Sequence, residues 1–415
     1  MPAATVVDGA DLTDQAAFAG GVPYDVFARL RREAPVHWHP PGRSGSGFWV
    51  LSRHADIAAA ASSPAFSAEG GGGRAGGGTH LEDLPAGRLP GVVVAMMDDP
   101  RHALIRDLLG PPLDAAALER ATGDLRRCAA QVVAEALDRR TCDLAADVAG
   151  RFAAMATALM LGAPARDWDR LVGWAHRVSG LANRRTGRPD EESGRIGEEM
   201  RRYCEHLLAA ASGGGRAGAD LSSALALGRL PDAGGQPPLS RLEREANLLL
   251  LLLTGNEQPR NTAAGGVLGL IRHPEQWRAL RADPALLPGA VEEMLRWAPP
   301  NPYNRRTVVH DLRFRGARMR AGDKVTLWWA SANRDETVFT DASVFDVRRE
   351  PNPHLSFGHG GHACLGARLA RLELRLLMEE LLVRVREVRL TGPVRWAPSS
   401  KHAVVLEMPV RLVPA

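Results

Sequence analysis

The chain has 415 residues, 45% of them hydrophobic, and a formal net charge of +4. Length alone is a soft prior for two or three domains, but no linker divides the chain and its apolar content can fill one large core, so a single domain over residues 1–415 is expected. The balanced charge and the lack of any known nucleic-acid module exclude nucleic acid as partner, and no apolar run approaches a membrane span.

Four unevenly spaced cysteines, Cys128, Cys142, Cys204 and Cys364, contain no CxxC pair. They fit a reducing compartment rather than a disulfide framework. With no basic-then-apolar leader pattern either, a cytoplasmic protein without a membrane anchor is expected. The basic residues are nearly all arginine, with Lys324 and Lys401 the only lysines. Codon usage in a GC-rich genome is the simplest reason.

In chain order, Pro23 to Ala34 reads as a helix, with proline near its start and Val26, Phe27 and Leu30 on one face. Val36 to Trp38 and Phe48 to Leu51 read as a hairpin across a glycine- and serine-containing turn. Asp56 to Ala61 is a short helix, broken after by Pro64. Glu69 to Met97 is irregular and rich in glycine. Asp98-Asp99-Pro100 opens the next helix, with acids near its positive end. His102 and Arg106 lie four apart on one face of it, which spacing alone leaves as either an exposed cationic face or a site. Residues 115 to 210 are mainly helical, with breaks at Gly162-Ala163-Pro164 and around Asn183 to Pro189.

Arg241 to His273 forms a long central helix. It is apolar on all sides through Leu248 to Leu253, so it is expected to be buried. Yet Glu257, Gln258 and Pro259 stand at its middle, and a buried acid is costly unless paired or solvated; this is a site candidate. Pro259 offers no N–H to the Gly255 carbonyl and its ring crowds that carbonyl. A helix opened or kinked at Gly255 is therefore expected. Further on, Glu293 and Arg296 sit at i and i+3, ordinarily a solvated pair worth little. Asn301 to Thr307 leads into a strand, and Arg313 to Val325 reads as a hairpin. Leu327 to Arg334 is a strand or turn leading into a helix. Trp396 to Val413 alternates like a terminal hairpin, with its tip at Ser399-Ser400-Lys401-His402.

The stretch from Phe357 to Gly366, FGHGGHACLG, precedes a helical pattern at Ala367 to Val385. Its glycines permit turns closed to other residues. Cys364 stands at the helix entry, where free N–H groups and the helix dipole favour thiolate. Such a thiolate can ligate a metal or act as a nucleophile. A buried structural cysteine is the plain alternative. A zinc site of Cys364, His362 and His359 is another, though it lacks the second paired ligand set of a closed site.

This loop resembles the haem-binding signature of the cytochrome P450 family at Phe357, Gly358, Gly360, His362, Cys364 and Gly366. The resemblance implies a mainly α fold with small β-sheets, haem b as cofactor, and Cys364 as the axial thiolate, which pushes electron density toward iron. It covers essentially the whole chain from Pro23 onward. Glu293 and Arg296 match the family's ExxR motif, and Arg349 matches the third member of that structural network. His102 and Arg106 resemble the pair that binds one haem propionate. Arg306 matches the usual propionate arginine, and His362 a position that often contacts a propionate. Asn256, Asn301, Tyr303, Asn304 and Ser400 fall where substrate contacts are expected. Trp174 and Leu181 are weaker candidates, for which amphipathic packing is the simpler reading.

The central helix resembles the family pattern of a small residue, Gly, any residue, an acid, then Thr. It keeps Gly255 and Glu257 but places Gln258 where the threonine belongs. A carboxamide hydrogen-bonds but relays protons poorly. Two enzyme readings follow from the resemblance. One is C–H oxidation of a small hydrophobic or amphipathic natural-product intermediate with O2 and electrons from a ferredoxin. The other is chemistry that bypasses ordinary O2 activation: oxidative coupling, cyclisation, or nitrene-type C–N bond formation from an N–O substrate. A non-catalytic haem carrier or sensor is the alternative from another class. Arginines Arg101, Arg106, Arg126, Arg127, Arg368 and Arg371 are candidates for a basic face toward an acidic donor. A monomer is expected.

Overall fold

The structure, a computed structural model, describes residues 11–42, 45–180, 191–214, 219–230, 235 and 237–415. Leu181 and the expected break around Asn183 to Pro189 lie outside the described residues.

The central helix runs unbroken from Arg241 to Arg272. A capping box fixes its start: Ser240 accepts from the Glu243 N–H, and the Glu243 carboxylate accepts from the Ser240 N–H. Its first half packs with helices Arg101–Leu109 and Glu191–Gly214 in one apolar cluster. Its second half is lined with Ala263, Ala264, Gly265 and Gly266, so neighbours approach closely. A Cβ on Gly265 would fall 2.6 Å from the Ala298 Cβ. That half joins helices Ala115–Arg139, Leu287–Trp297 and Ala367–Arg384 in the largest core cluster.

A five-stranded sheet holds a third cluster. Its order is Val36–His39, Phe48–Leu51, Lys324–Leu327, Asn304–Val308, Phe66–Ser67. All neighbours are antiparallel except Phe48–Leu51 beside Lys324–Leu327, where Phe48 faces Lys324 and Leu51 faces Leu327. Strands Thr141–Asp143, Pro409–Pro414 and Val385–Leu390 form a second sheet in that order. The mainly helical fold with small sheets is the expected one.

Three expectations change. The central helix is not opened at Gly255 but continues through Pro259, and Gly255, without a Cβ, lets Thr157 pack against that turn. The terminal hairpin is short: Arg395–Trp396 pairs with Val405–Glu407, while Pro409–Pro414 belongs to the second sheet. A strand at Thr141–Asp143, inside the stretch expected to be helical, escapes sequence reading because three residues carry too little periodicity.

Candidate functional site

The cysteine loop is held by its own backbone. The Cys364 N–H donates to the Phe357 carbonyl at 2.7 Å, and the Gly358 N–H to Leu355 at 2.9 Å. Gly358 and Gly360 sit at φ +74° and +70°, a region other residues rarely adopt. At Gly360 a Cβ would also come within 3.0 Å of the Ala61 carbonyl. Arg371 lies over the Phe357 ring, 4.6 Å from its centroid.

Cys364 is the exposed cysteine among four. The residue is open to solvent while protein packs densely about its thiol. Burial pushes its pKa up, against the pull of the Gly366 N–H, Arg106 and Arg371. Desolvation thus works against the thiolate expected at the helix entry, and a bound cation would favour it. Among the described residues no three His, Cys, Asp or Glu side chains converge as metal ligands, so the zinc alternative has no assembled geometry.

Around this loop gather four basic side chains. The His102 and His362 rings stack at 3.9 Å between centroids. His102 Nδ1 lies 3.0 Å from Asp99 Oδ1, while its buried Nε2 has no partner. Arg106 turns inward, and its Nη1 donates to the Ala363 carbonyl at 2.7 Å. Arg306 is buried, and desolvation pulls its pKa down to about 10. Burial pulls His362 down to about 3, and Arg306, His102 and Arg106 add to that. Such a cluster calls for anions. Haem b needs an iron ligand and partners for two propionates; Cys364 could bind the iron, Arg106 and Arg306 could supply the charge, and His102 and His362 could supply hydrogen bonds.

Glu293 and Arg296 are no surface pair: both side chains are 0% exposed, with Arg296 Nη2 2.6 Å from Glu293 Oε1. Arg349 Nε adds a contact at 3.2 Å to Oε2.

On the central helix, Asn256 and Glu257 are buried and Gln258 half-buried. Neither polar atom of the Asn256 carboxamide has a partner, nor does Gln258 Oε1. Sequence reading passed over Thr254, one turn before Gln258 on the same face. Its hydroxyl donates to the Leu250 carbonyl at 2.8 Å.

The remaining candidates divide. Tyr303 is 1% exposed in the core, its ring 4.7 Å from Trp328. Ser400 is also buried, held by Gln15, which accepts from its N–H at 2.8 Å. Both therefore stand in the packing. Asn301 and Asn304 are half-buried, and Asn301 Oδ1 has no partner. Trp174 is buried, and its Nε1 donates to Glu199 at 3.0 Å. Lys401, at the tip of the last loop and without a role predicted from sequence, has a buried Nζ that donates to Thr79 O, Tyr303 O and Asn304 Oδ1 at 3.1, 2.8 and 2.5 Å. Only its rarity in so arginine-rich a chain could have flagged it.

A family model described as Cytochrome P450 matches residues 238–393. A Mycobacterium tuberculosis protein described as cytochrome P450 126 is 39% identical over 99% of this chain and 99% of its own length. The chain belongs to the cytochrome P450 family. Linalool 8-monooxygenase of Pseudomonas putida is 35% identical, over 97% of this chain and 99% of that one. The crystal structure of P450 OxyD, involved in the biosynthesis of vancomycin-type antibiotics, superposes with a TM-score of 0.86. It has 28% identity and covers 98% of this chain and 100% of that one. This P450 is accordingly a haem b-dependent oxidoreductase of the monooxygenase type, acting on a small molecule with a redox partner. No helix of the described residues is long and apolar enough to cross a membrane.

Proposed function

We propose that this P450 oxidises a C–H bond of a small hydrophobic or amphipathic natural-product intermediate, in the default case by hydroxylation with O2 and electrons from a ferredoxin. Cys364 would bind the haem iron, in a loop shaped by Phe357, Gly358 and Gly366. His102, Arg106, Arg306 and His362 receive the propionates. The observation that carries this reading is a reachable thiol beside four basic side chains, of which Arg106 and Arg306 make no ion pair among the described residues. Haem b supplies the oxidising equivalent. Glu257 delivers protons, and Gly255 and Gln258 form the turn that faces the substrate. Asn256, Asn301 and Asn304 present amides to the substrate, with Tyr303 and Ser400 packed behind them. Glu293, Arg296 and Arg349 hold the scaffold. The names of the linalool and OxyD relatives support a small natural product as the substrate class.

The test is spectroscopic and kinetic. Reduced holoprotein under carbon monoxide must show the red-shifted absorption of thiolate ligation, and Cys364→Ser must lose it. Turnover must depend on an electron donor; a pigment that binds haem but never turns over would make this a carrier or sensor.

Gln258 and Pro259 favour a second reading, in which the enzyme does not rely on ordinary O2 activation and performs coupling, cyclisation or C–N bond formation from an N–O substrate. Replacing Gln258 by Thr separates the two. Better coupling of electrons to product means the wild type lacks a proton relay it needs. Unchanged turnover and coupling mean that Gln258 only packs.

A further inference from the structure

A cavity of about 940 Å³ opens along the same helix stripe that carries Thr254 and Gln258, beginning at Asn261 and continuing through Gly265, Leu268 and Arg272. It is a separate space: none of Cys364, His102, Arg306, Thr254 or Gln258 lines it. The start of the helix Tyr24–Glu33 and the segment around Arg334 to Ser343 close its other sides. Its volume falls in the range of small-ligand sites.

Its two buried side-chain atoms without a partner, on Asn261 and Arg334, are both donors. Asn261 is 2% exposed; its Oδ1 accepts from Arg260 and from the Val405 N–H, which leaves Nδ2 without an acceptor. Arg334 is 6% exposed. Its Nη1 and Nη2 donate to the Ala342 and Trp297 carbonyls at 3.1 and 3.2 Å. Its Nε has no acceptor, and it makes no ion pair among the described residues. Just behind, Arg296 and Arg349 share the single carboxylate of Glu293. Arg334 takes no part in that ion pair; the lining acids Asp25 and Asp341 stand at the exposed rim rather than beside its buried Nε. Arg31, also in the wall, is already matched by Glu336 at 2.8 Å.

The apolar lining is aromatic. The Arg334 guanidinium lies 3.5 Å from the Trp297 ring centroid and 4.7 Å from that of Tyr24, and Phe339 and Trp396 complete the walls. Asp25 and Asp341 are exposed lining residues and would repel a ligand carrying several negative charges.

We propose that this cavity is a second binding site, distinct from the reaction pocket, for an aromatic monocarboxylate. The carboxylate draws on the Asn261 and Arg334 donors, and the ring packs among Trp297, Tyr24, Phe339 and Trp396.

The test titrates purified holoprotein with 1-naphthoate, reading tryptophan fluorescence and heat together with the haem spectrum. Saturable binding of one equivalent that leaves the haem spin state unchanged is expected. The neutral 1-naphthamide is expected to bind on the order of ten-fold more weakly, the scale of one charge-assisted hydrogen bond. Arg334→Gln should weaken naphthoate similarly, and Ala28→Trp, which fills the cavity from the half-buried Ala28, should abolish binding. An intact carbon monoxide spectrum certifies each variant as folded; if Arg334→Gln fails that check, the amide and Ala28→Trp decide alone. Absence of saturable binding overturns the proposal. So do equal affinity for the amide, undiminished binding in Ala28→Trp, or a spin-state shift placing the ligand at the iron. None of these readouts requires turnover, so their failure leaves the haem-thiolate reading standing.

Discussion

Thr254 places a hydroxyl one helical turn before the position where the family pattern has its threonine. Thr254 donates to the Leu250 carbonyl, so its oxygen keeps lone pairs to accept from water. Gln258 Oε1 on the same face has no partner, and Pro259 leaves the Gly255 carbonyl without its helical donor. Acceptors therefore line this face, and water is the donor that suits them. Thr254→Val is expected to raise the fraction of electrons lost as free peroxide while leaving substrate-induced spectral binding near wild type; equal coupling in the variant would refute this role. The sequence showed the departure at Gln258 because a family pattern exists to depart from. Thr254 stayed hidden because a threonine inside a leucine-rich helix looks like filler until its face is known.

The loop of residues 79–82 shows how an element can be ordered without a pattern of its own. Its four successive carbonyls are taken by cations from elsewhere: Thr79 by Lys401, His80 and Glu82 by Arg305, Leu81 by Lys324. These partners lie more than 200 residues away, so the stretch reads as irregular in sequence. Desolvation first, then Arg306, pulls Lys401 down to about 7. The unfolded chain then binds more protons than the native one above that pH, so this group adds stability as pH rises from about 7 toward the ordinary lysine value. Lys401→Met should strand carbonyls at a cost of about 1–3 kcal/mol each. The melting-temperature gap between wild type and variant should widen from about pH 6 to about pH 9; a gap independent of pH would show that the amine stays charged.

Helix Ala367–Arg384 carries the opposite case. Glu373 is buried, Oε2 has no partner, and desolvation raises its pKa well above the ordinary value of 4.5. The native state then holds the proton that the unfolded state loses, so stability falls as pH rises beyond 4.5. Glu373→Gln should match wild type in acid and melt higher near neutrality. A variant that melts lower at neutral pH would mean that the carboxyl has a partner worth keeping.

Across the whole molecule, the order of landmarks made the architecture readable: the central helix, the Glu293–Arg296 pair, Arg349 and the cysteine loop each recur at their expected places. Sequence reading could not say that the Glu293 pair is buried, since i, i+3 spacing is the same on a wet face. Glu293 gathers Arg296, Arg349, Asn352 and the Asp346 N–H around one carboxylate. It thereby ties helix Leu287–Trp297 to the segment before the cysteine loop. Glu293→Ala should cost about 3–5 kcal/mol by leaving guanidinium groups uncompensated. The measured consequence will be loss of haem retention and a large drop in melting temperature. Retention at wild-type level would refute the tie. The expected basic face is also thinner than the composition implied: Arg101, Arg126, Arg127 and Arg371 each meet a carboxylate, and Arg106 points inward.

The two lysine side chains of this arginine-rich chain both lie inside the protein, at 2% and 8% exposure. Amine-directed reagents, whether cross-linkers, biotin esters or enzymatic acylation, therefore find no ε-amino target on the native surface. Covalent capture of a redox-partner complex cannot use a lysine of this chain, and fresh lysine labelling can serve as a sensitive gauge of unfolding.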